Sequence, residues 1–350
     1  MGRGTIDAAK PHLPGSHVLL TRFAEYLKTK RGDADFHVVR QSGGGEELSL
    51  PADEPELRSA AVVEGDALAA RSVGRPAAPR FTHFLDGIER THVPCYRGMI
   101  PILYAFTGAA IRQRKGTRRM STCAALSGEN LYFPFSHMEP SELLKHGVTA
   151  RDTDQDGART EPAEVHPIRL LELARRAVSK DREKLERELA ERWLREFASG
   201  DAWLLVDGSL TGGFETYKHP RMVGAIKSHQ TQYFPAQEQA KILGLQVGER
   251  SSVFKPIGRE RTPVFSWYLR LHANAGRDVY FGLVRVEAAA ADETIAMADE
   301  ISRWLLGERA PLSLPDGRWD RLLYPIRDCE QYLRSIAPSR VVIEAALAGL

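Results

Sequence analysis

Short apolar runs divide the chain into segments with the length and composition of buried strands. Each run contains β-branched or aromatic residues, which are typical of strands inside a sheet. The first two runs end in the dipeptide Asp-Gly. The predicted strands cover residues 81–87, 203–209, 264–271 and 279–287.

Two longer stretches show the three- and four-residue spacing of apolar side chains that marks an amphipathic helix. The first covers 167–198 and is followed by Gly200, whereas the second begins near Asp292 and stops at Gly307. Glycine directly after a periodic stretch is a common helix end. The order of strands, helix, strand, strands and helix indicates a mixed α/β domain.

The remaining segments set the predicted domain organisation. Residues 42–80 are rich in Gly, Ala, Pro and Glu, so residues 1–80 are assigned to a loop-rich N-terminal extension. Residues 98–114 are apolar without clear periodicity; a helix and a pair of strands both fit, and Pro101 and Gly108 favour strands. Residues 115–165 are polar and turn-rich, apart from an aromatic island at 131–135.

The composition is that of a globular protein. Its 350 residues are 43% hydrophobic and 27% charged, with a net charge of +2, which neither requires nor excludes nucleic acid as a partner. No run reaches the roughly 20 apolar residues of a membrane span, and the N-terminus lacks the apolar run of a signal peptide. The three cysteines lie far apart, which argues against disulfides and a cysteine zinc site. We therefore expect a cytoplasmic protein with no membrane partner.

Two of the predicted strands deliver an aspartate followed at once by glycine, Asp86-Gly87 and Asp207-Gly208. A carboxylate at the end of a buried strand is held rigidly, and glycine leaves room for a metal or a phosphate. If the strands are neighbours, the two carboxylates can share divalent cations. The alternative is that each Asp-Gly simply marks a turn.

The helix predicted over 167–198 carries a glutamate on its apolar face. Helical phase places Glu186 in the stripe that contains Leu189 and Trp193, whereas Glu188 falls on the polar side. A carboxylate on a core-facing stripe is costly unless something binds it. A shared metal ion would do so, and an ion pair with Arg182 on the same helix would do so equally well.

A cluster of five cations in eight residues follows the segment 98–111. Such a run can contact the DNA backbone, and it can equally be a solvated loop. The residues are Arg112, Arg114, Lys115, Arg118 and Arg119.

The order of these motifs resembles the NurA family of nucleases. The matching blocks are Leu85-Asp86-Gly87, Glu186, 204–210 around Asp207, 223–228, 281–287 and Tyr324-Pro325. The resemblance covers residues 81–330 and implies an RNase H-like fold, with a mixed sheet flanked by helices, for a nuclease domain at 81–350. The spacing from Asp86 to Glu186 is longer than the family's, so 115–165 is expected to be an insertion.

The same resemblance implies the roles of the site residues. Asp86, Glu186 and Asp207 would bind Mn²⁺ or Mg²⁺, and Lys227 would lie near the scissile phosphate. The family often has a histidine shortly after Tyr-Pro. In this chain Glu330, as a further metal ligand, or Asp328 would take that role, or the role is absent.

The resemblance further implies a homodimer that processes DNA ends with a hexameric HerA-type ATPase, in DNA repair or phage defence. The chain has no GxxxxGK[ST] loop, so a motor would have to be another subunit. The main alternative is a noncatalytic DNA-binding or scaffold subunit of an ATPase complex. A guide-directed nuclease of the PIWI type on the same broad fold is a third alternative.

Overall fold

The structure is a computed structural model. It describes residues 18–30, 36–38, 56–116, 119–154, 165–211, 215–258, 263–275, 277–309 and 321–347. The helices in these segments are α1 (Val18–Thr29), α2 (Ser141–Lys145), α3 (Pro167–Glu196), α4 (Ala236–Leu243), α5 (Asp292–Glu308), α6 (Tyr324–Ile336) and α7 (Arg340–Leu347). None of them is long and apolar enough to cross a membrane.

The strands are β1 (Phe36–Val38), β2 (Glu56–Leu57), β3 (Ser59–Val62), β4 (Ala70–Ser72), β5 (His83–Arg97), β6 (Ile100–Lys115), β7 (Arg119–Phe133), β8 (Ala150–Asp152), β9 (Leu204–Asp207), β10 (Met222–Ile226), β11 (Thr231–Gln232), β12 (Glu249–Ser251), β13 (Phe254–Ile257), β14 (Val264–Arg270) and β15 (Leu283–Ala289). With the helices they give the mixed α/β architecture that the sequence predicts.

One large mixed sheet forms the centre of the molecule. Its strands run in the order β3-β13-β14-β15-β10-β9-β5-β6-β7-β8. β5, β6 and β7 form an antiparallel meander, and β9 then pairs parallel with both β5 and β10. The strands β15 and β14 continue the sheet antiparallel to β10. Parallel pairing at β5-β9-β10 brings the carboxyl ends of β9 and β10 beside residues 86 and 87 of β5.

Helices cover both faces of this sheet. Leu85 and Val206 pack with Trp193 of α3 on one face, whereas Phe84 and Leu205 pack with α5 and α6 on the other. Consecutive side chains of a strand point to opposite faces. The faces on which these apolar residues lie therefore determine the face of every later residue in β5 and β9. The long helix predicted over 167–198 and the helix predicted from Asp292 to Gly307 are confirmed as α3 and α5.

The turn reading of Asp86-Gly87 is wrong, because β5 continues through both residues to Arg97. Asp86 pairs with Ala110 and Gly87 with Ala109 on β6. Most of the apolar segment 98–114 lies in a single strand, β6, and not in a helix or a pair of strands. The predicted strand end at Asp207-Gly208 is confirmed, since β9 ends at Asp207 and Gly208 has a φ of 118°.

The prediction that 115–165 is loop-rich is wrong for its first part. Residues 119–133 form β7, which pairs along its length with β6. The polar and apolar residues of β7 do not alternate, and most of them are half-buried. The segment forms a strand because β6 supplies its hydrogen-bonding partners. The aromatic island at 131–135 is largely core, as Leu131 and Phe133 are buried. The extension at 1–80 also contributes to the core and sheet, through α1, β3 and β4.

Candidate metal and phosphate site

Asp86 and Asp207 lie on adjacent parallel strands. The register pairs Leu85 with Val206, so the next residue on each strand is an aspartate. Strand alternation directs both carboxylates to the face covered by α5 and α6. Neighbouring strands are about 4.8 Å apart, which places the two side chains close enough to interact.

The Asp86 carboxyl group is buried, with 7% of the residue exposed. Its Oδ1 accepts a hydrogen bond of 2.8 Å from the backbone N–H of Gly87. Burial raises the pKa of Asp86 well above its ordinary value, and the charges of Asp207 and Glu186 raise it further. Lys227 and the Gly87 hydrogen bond act in the opposite direction. The site therefore disfavours the ionised Asp86 unless more positive charge is supplied.

Asp207 is more accessible and already has a cationic partner. Lys227, directly after β10, places its Nζ 2.8 Å from Asp207 Oδ1, and both side chains are about one-quarter exposed. This pair borders a pocket of about 370 Å³ at the ends of β9 and β10. Its lining is Asp207, Gly208, Ala225, Ile226, Lys227, Ser228 and Arg321. Solvent reaches the carboxylate and the ammonium group from this pocket.

Glu186 reaches the same strands from the opposite face. It is 9% exposed on α3, as its predicted helical phase requires. A Cβ placed on Gly87 would lie 2.2 Å from Glu186 Oε1, so the carboxylate rests directly against the glycine of β5. The space that Gly87 leaves is thus taken by Glu186, where the sequence suggested a metal or phosphate.

Glu186 also forms the ion pair with Arg182 that the sequence offers as the alternative to a metal. Arg182 Nη1 donates to Glu186 Oε1 at 2.5 Å, and its Nε donates to Glu89 at 3.2 Å. Ser179 Oγ completes this row by donating to Glu89. Burial nevertheless raises the pKa of Glu186 to about 7, outweighing the lowering effect of Arg182.

The raised pKa of Glu186 predicts an unusual pH dependence of stability in the metal-free protein. The unfolded chain ionises Glu186 near its ordinary pKa of 4.5, whereas the folded chain does so near 7. The free energy of unfolding should therefore fall as pH rises from 4.5 to 7. Glu186→Gln removes this loss, so the variant should gain up to about 3 kcal/mol relative to the wild type between pH 4 and 8.

Urea unfolding with a chelator at pH 4, 6 and 8 measures this difference. Glu188→Gln is the matched control, because Glu188 is exposed on the same helix. A constant difference between Glu186→Gln and the wild type across this pH range would show that Glu186 ionises normally.

The donor chemistry of these residues fits a hard divalent cation. Asp86, Asp207 and Glu186 offer carboxylate oxygens, which Mg²⁺ and Mn²⁺ prefer. Burial raises the pKa of Asp86 and of Glu186, and a bound cation would favour their ionised forms. In the described part of the chain, however, no three His, Cys, Asp or Glu side chains are already arranged as a metal site. The residues approach from both faces of the sheet, and cationic side chains hold two of them.

The other proposed ligands have different partners. Asp328 accepts a hydrogen bond of 2.7 Å from Arg112 Nε, and Glu330 accepts one of 2.5 Å from Arg334. On the same helix it is Cys329 whose pKa is raised by burial and by the charge of Asp86. Arginine side chains thus hold both carboxylates in the described part of the chain, and a ligand role for Glu330 or Asp328 stays a prediction.

The basic run divides into paired and exposed cations. Arg112 bonds Asp328 and Thr122, and Arg114 bonds Glu308 at 2.5 Å while its guanidinium lies over the ring of Phe84. Lys115 and Arg119 are exposed where β6 and β7 meet, and Arg118 lies outside the described residues. DNA binding by this run remains a prediction, and Lys115 and Arg119 are its accessible members.

Sequence reasoning missed Glu89 and Glu287. Glu89 is half-buried and shares Arg182 with Glu186. Glu287 is fully buried beside Arg285 on β15. A signal was present for the second, because Val-Arg-Val-Glu places two opposite charges on one face of an otherwise apolar strand.

Comparisons with known proteins add no relative. No protein-family model matches the chain, and a search of curated proteins finds no match either. The resemblance to NurA therefore rests on the motifs quoted above and on their order.

Proposed function

We propose that this protein is a divalent-metal-dependent nuclease that acts on DNA. The observation that carries the proposal is the convergence of Asp86, Asp207 and Glu186 at adjacent parallel strands, with Lys227 on Asp207. Phosphodiester hydrolysis needs closely spaced carboxylates for metal ions and a cation for the phosphate. The motif order resembling NurA supports the same activity.

An RNase H-like arrangement is part of this proposal. The strand order β7-β6-β5-β9-β10 supports it, since an antiparallel meander is followed by a helix and two strands parallel to the first. In that arrangement Asp86 comes from the first strand, Glu186 from the connecting helix and Asp207 from the fourth strand.

Each residue has a distinct task in the proposed reaction. Asp86 and Asp207 would bind Mg²⁺ or Mn²⁺ on one face of the sheet. Glu186 would contribute a further negative charge from the other face. The bound metal would supply Lewis acidity and a water of lowered pKa. Lys227 would leave its ion pair with Asp207 and bind a phosphate oxygen instead. There it would neutralise negative charge as the P–O bond breaks.

A cleavage assay tests the proposed activity. Purified protein should degrade linear duplex or single-stranded DNA with Mn²⁺ or Mg²⁺, and EDTA should stop the reaction. A protein that binds DNA but cleaves neither substrate with either metal would contradict the proposal.

Lys227 should contribute more to turnover than to binding. Lys227→Ala is expected to lower kcat by about 10²-fold, while DNA affinity changes by less than about threefold, because one exposed phosphate contact is a small part of a DNA interface. Lys255→Ala is the matched control, since Lys255 is an exposed lysine on β13. Equal losses in turnover and affinity would make Lys227 a general binding residue.

The second candidate is a noncatalytic DNA-binding or scaffold subunit. One observation favours it, because Lys227 and Arg182 already neutralise Asp207 and Glu186. A scaffold would keep its DNA affinity and stability unchanged when Mn²⁺ is added. A nuclease would be stabilised by the metal, since binding to the folded state alone raises the free energy of unfolding.

We also propose, from the family resemblance, that the protein works as a homodimer with a hexameric HerA-type ATPase in processing DNA ends, in repair or phage defence. Two copies would present one site to each strand of a duplex. Mass measurement of the purified chain, alone and with such an ATPase, tests this assembly. A strict monomer that ignores the ATPase, and whose DNA degradation is no faster during ATP hydrolysis, would contradict it.

A further inference from the structure

The segment that follows Asp207 folds tightly over the neighbouring strand. Gly208 N–H donates to Ala225 O at 3.0 Å, and its φ of 118° is a conformation that favours glycine. A Cβ on Gly224 would lie 2.6 Å from Gly208 O and 3.1 Å from Leu210 Cγ. Residues 208–211 therefore lie directly on β10, and Gly208 forms part of the pocket wall beside Asp207.

A buried carboxylate on β15 fixes this segment. Glu287 is 0% exposed and lies opposite Gly224 in the sheet. Its Oε2 accepts hydrogen bonds from Leu210 N–H at 2.7 Å and from Ser209 Oγ at 2.8 Å. Arg285 donates to its other oxygen, Oε1. Both oxygens of Glu287 are thus occupied, one by the segment after Asp207 and one by the cation.

We infer that Glu287 is a positioning residue of the site, acting through residues 208–211 on Asp207; this inference rests on the proposed function. A buried ion pair contributes little net stability compared with apolar side chains, but it can select one conformation. Here the selected conformation is that of a glycine-containing segment, which has many alternatives. Fixing it holds the end of β9, so that Asp207 remains 2.8 Å from Lys227.

Glu287→Gln tests whether Glu287 fixes this segment, because glutamine has one acceptor oxygen in place of two. In the variant this oxygen can accept a hydrogen bond from Arg285 or from residues 209–210. The charged guanidinium group of Arg285 is the stronger donor. Ser209→Ala is a second variant, which removes one of the two bonds from the loop side and leaves the buried ion pair intact. Ser59→Ala is the matched control, since Ser59 is an exposed serine on the edge strand β3.

Hydrogen–deuterium exchange tests whether Glu287 fixes residues 208–211, and it does not depend on nuclease activity. Amides of residues 208–211 should exchange at least about tenfold faster in Glu287→Gln, while those of β10 and β15 keep their protection. In the cleavage assay, Glu287→Gln and Ser209→Ala should lower kcat by about tenfold or more with KM changed less than about twofold. Ser59→Ala should change neither kcat nor KM.

The outcomes separate this inference from the proposed function. Unchanged exchange at 208–211 in Glu287→Gln would overturn the inference. So would faster exchange with unaltered turnover in both variants. If amide exchange in Glu287→Gln becomes faster throughout the sheet, the test rests on Ser209→Ala. A normal kcat in Ser209→Ala would then overturn the inference. A wild type without nuclease activity would contradict the proposed function, and the exchange result alone would then decide whether Glu287 is a tether.

Discussion

Asp86→Asn and Asp207→Asn are each expected to lower DNA cleavage by about 10³-fold or more, because an amide is a poor ligand for a hard divalent cation. The fold should persist. Asp86→Asn should even be more stable than the wild type at pH 8 without metal, since the raised pKa of Asp86 means that its ionisation opposes folding. Loss of activity with a gain in stability is the signature of a carboxylate retained for function.

Initial rates on labelled DNA and urea unfolding in EDTA provide both quantities. Asp201→Asn is the matched control, since Asp201 is exposed just before β9 and should affect neither. A variant of Asp86 or Asp207 that cleaves DNA within tenfold of the wild type would remove that residue from the site.

Gly87→Ala is expected to abolish most activity while leaving the fold nearly intact. The added methyl would lie 2.2 Å from Glu186 Oε1, so the carboxylate must move away from β5. The displaced atoms belong to a flexible side chain, and the expected cost in stability is about 1 kcal/mol. Turnover should fall about 10²-fold, since sites of this kind tolerate little displacement.

The control for Gly87 is Gly128→Ala on β7. A Cβ on Gly128 meets nothing within 4 Å, so that variant should keep wild-type activity. The double variant Gly87→Ala, Glu186→Gln should be no less active than either single variant, because both changes remove the same interaction. Additive losses would show that Gly87 acts by some route other than Glu186.

The helix and strand patterns predicted much of the site. Helical phase alone places Glu186 on the buried side of α3 and Glu188 on the exposed side. The short apolar run before Asp207 gives a strand that ends at that residue. Local periodicity was sufficient here, because each residue's environment is set by the element that contains it.

Long-range pairing explains what the sequence could not predict. Asp86-Gly87 is an ordinary turn signal, but β6 pairs with both residues and carries β5 past them. The strand β7, whose polar and apolar residues do not alternate, is stabilised in the same way by β6. The contact of Glu186 with Gly87 and the bonds of Glu287 to residues 209–210 join segments far apart in the chain. No local pattern specifies such partners.

Manganese binding, followed by electron paramagnetic resonance of free Mn²⁺, tests most directly whether Asp86 and Asp207 form a metal site. The wild type and Glu188→Gln should both remove free Mn²⁺ signal on titration, with binding that weakens as pH falls below about 7 and Glu186 is protonated. The double variant Asp86→Asn, Asp207→Asn should leave the signal unchanged. A wild type that binds no Mn²⁺, or a double variant that binds it as tightly as the wild type, would contradict the account.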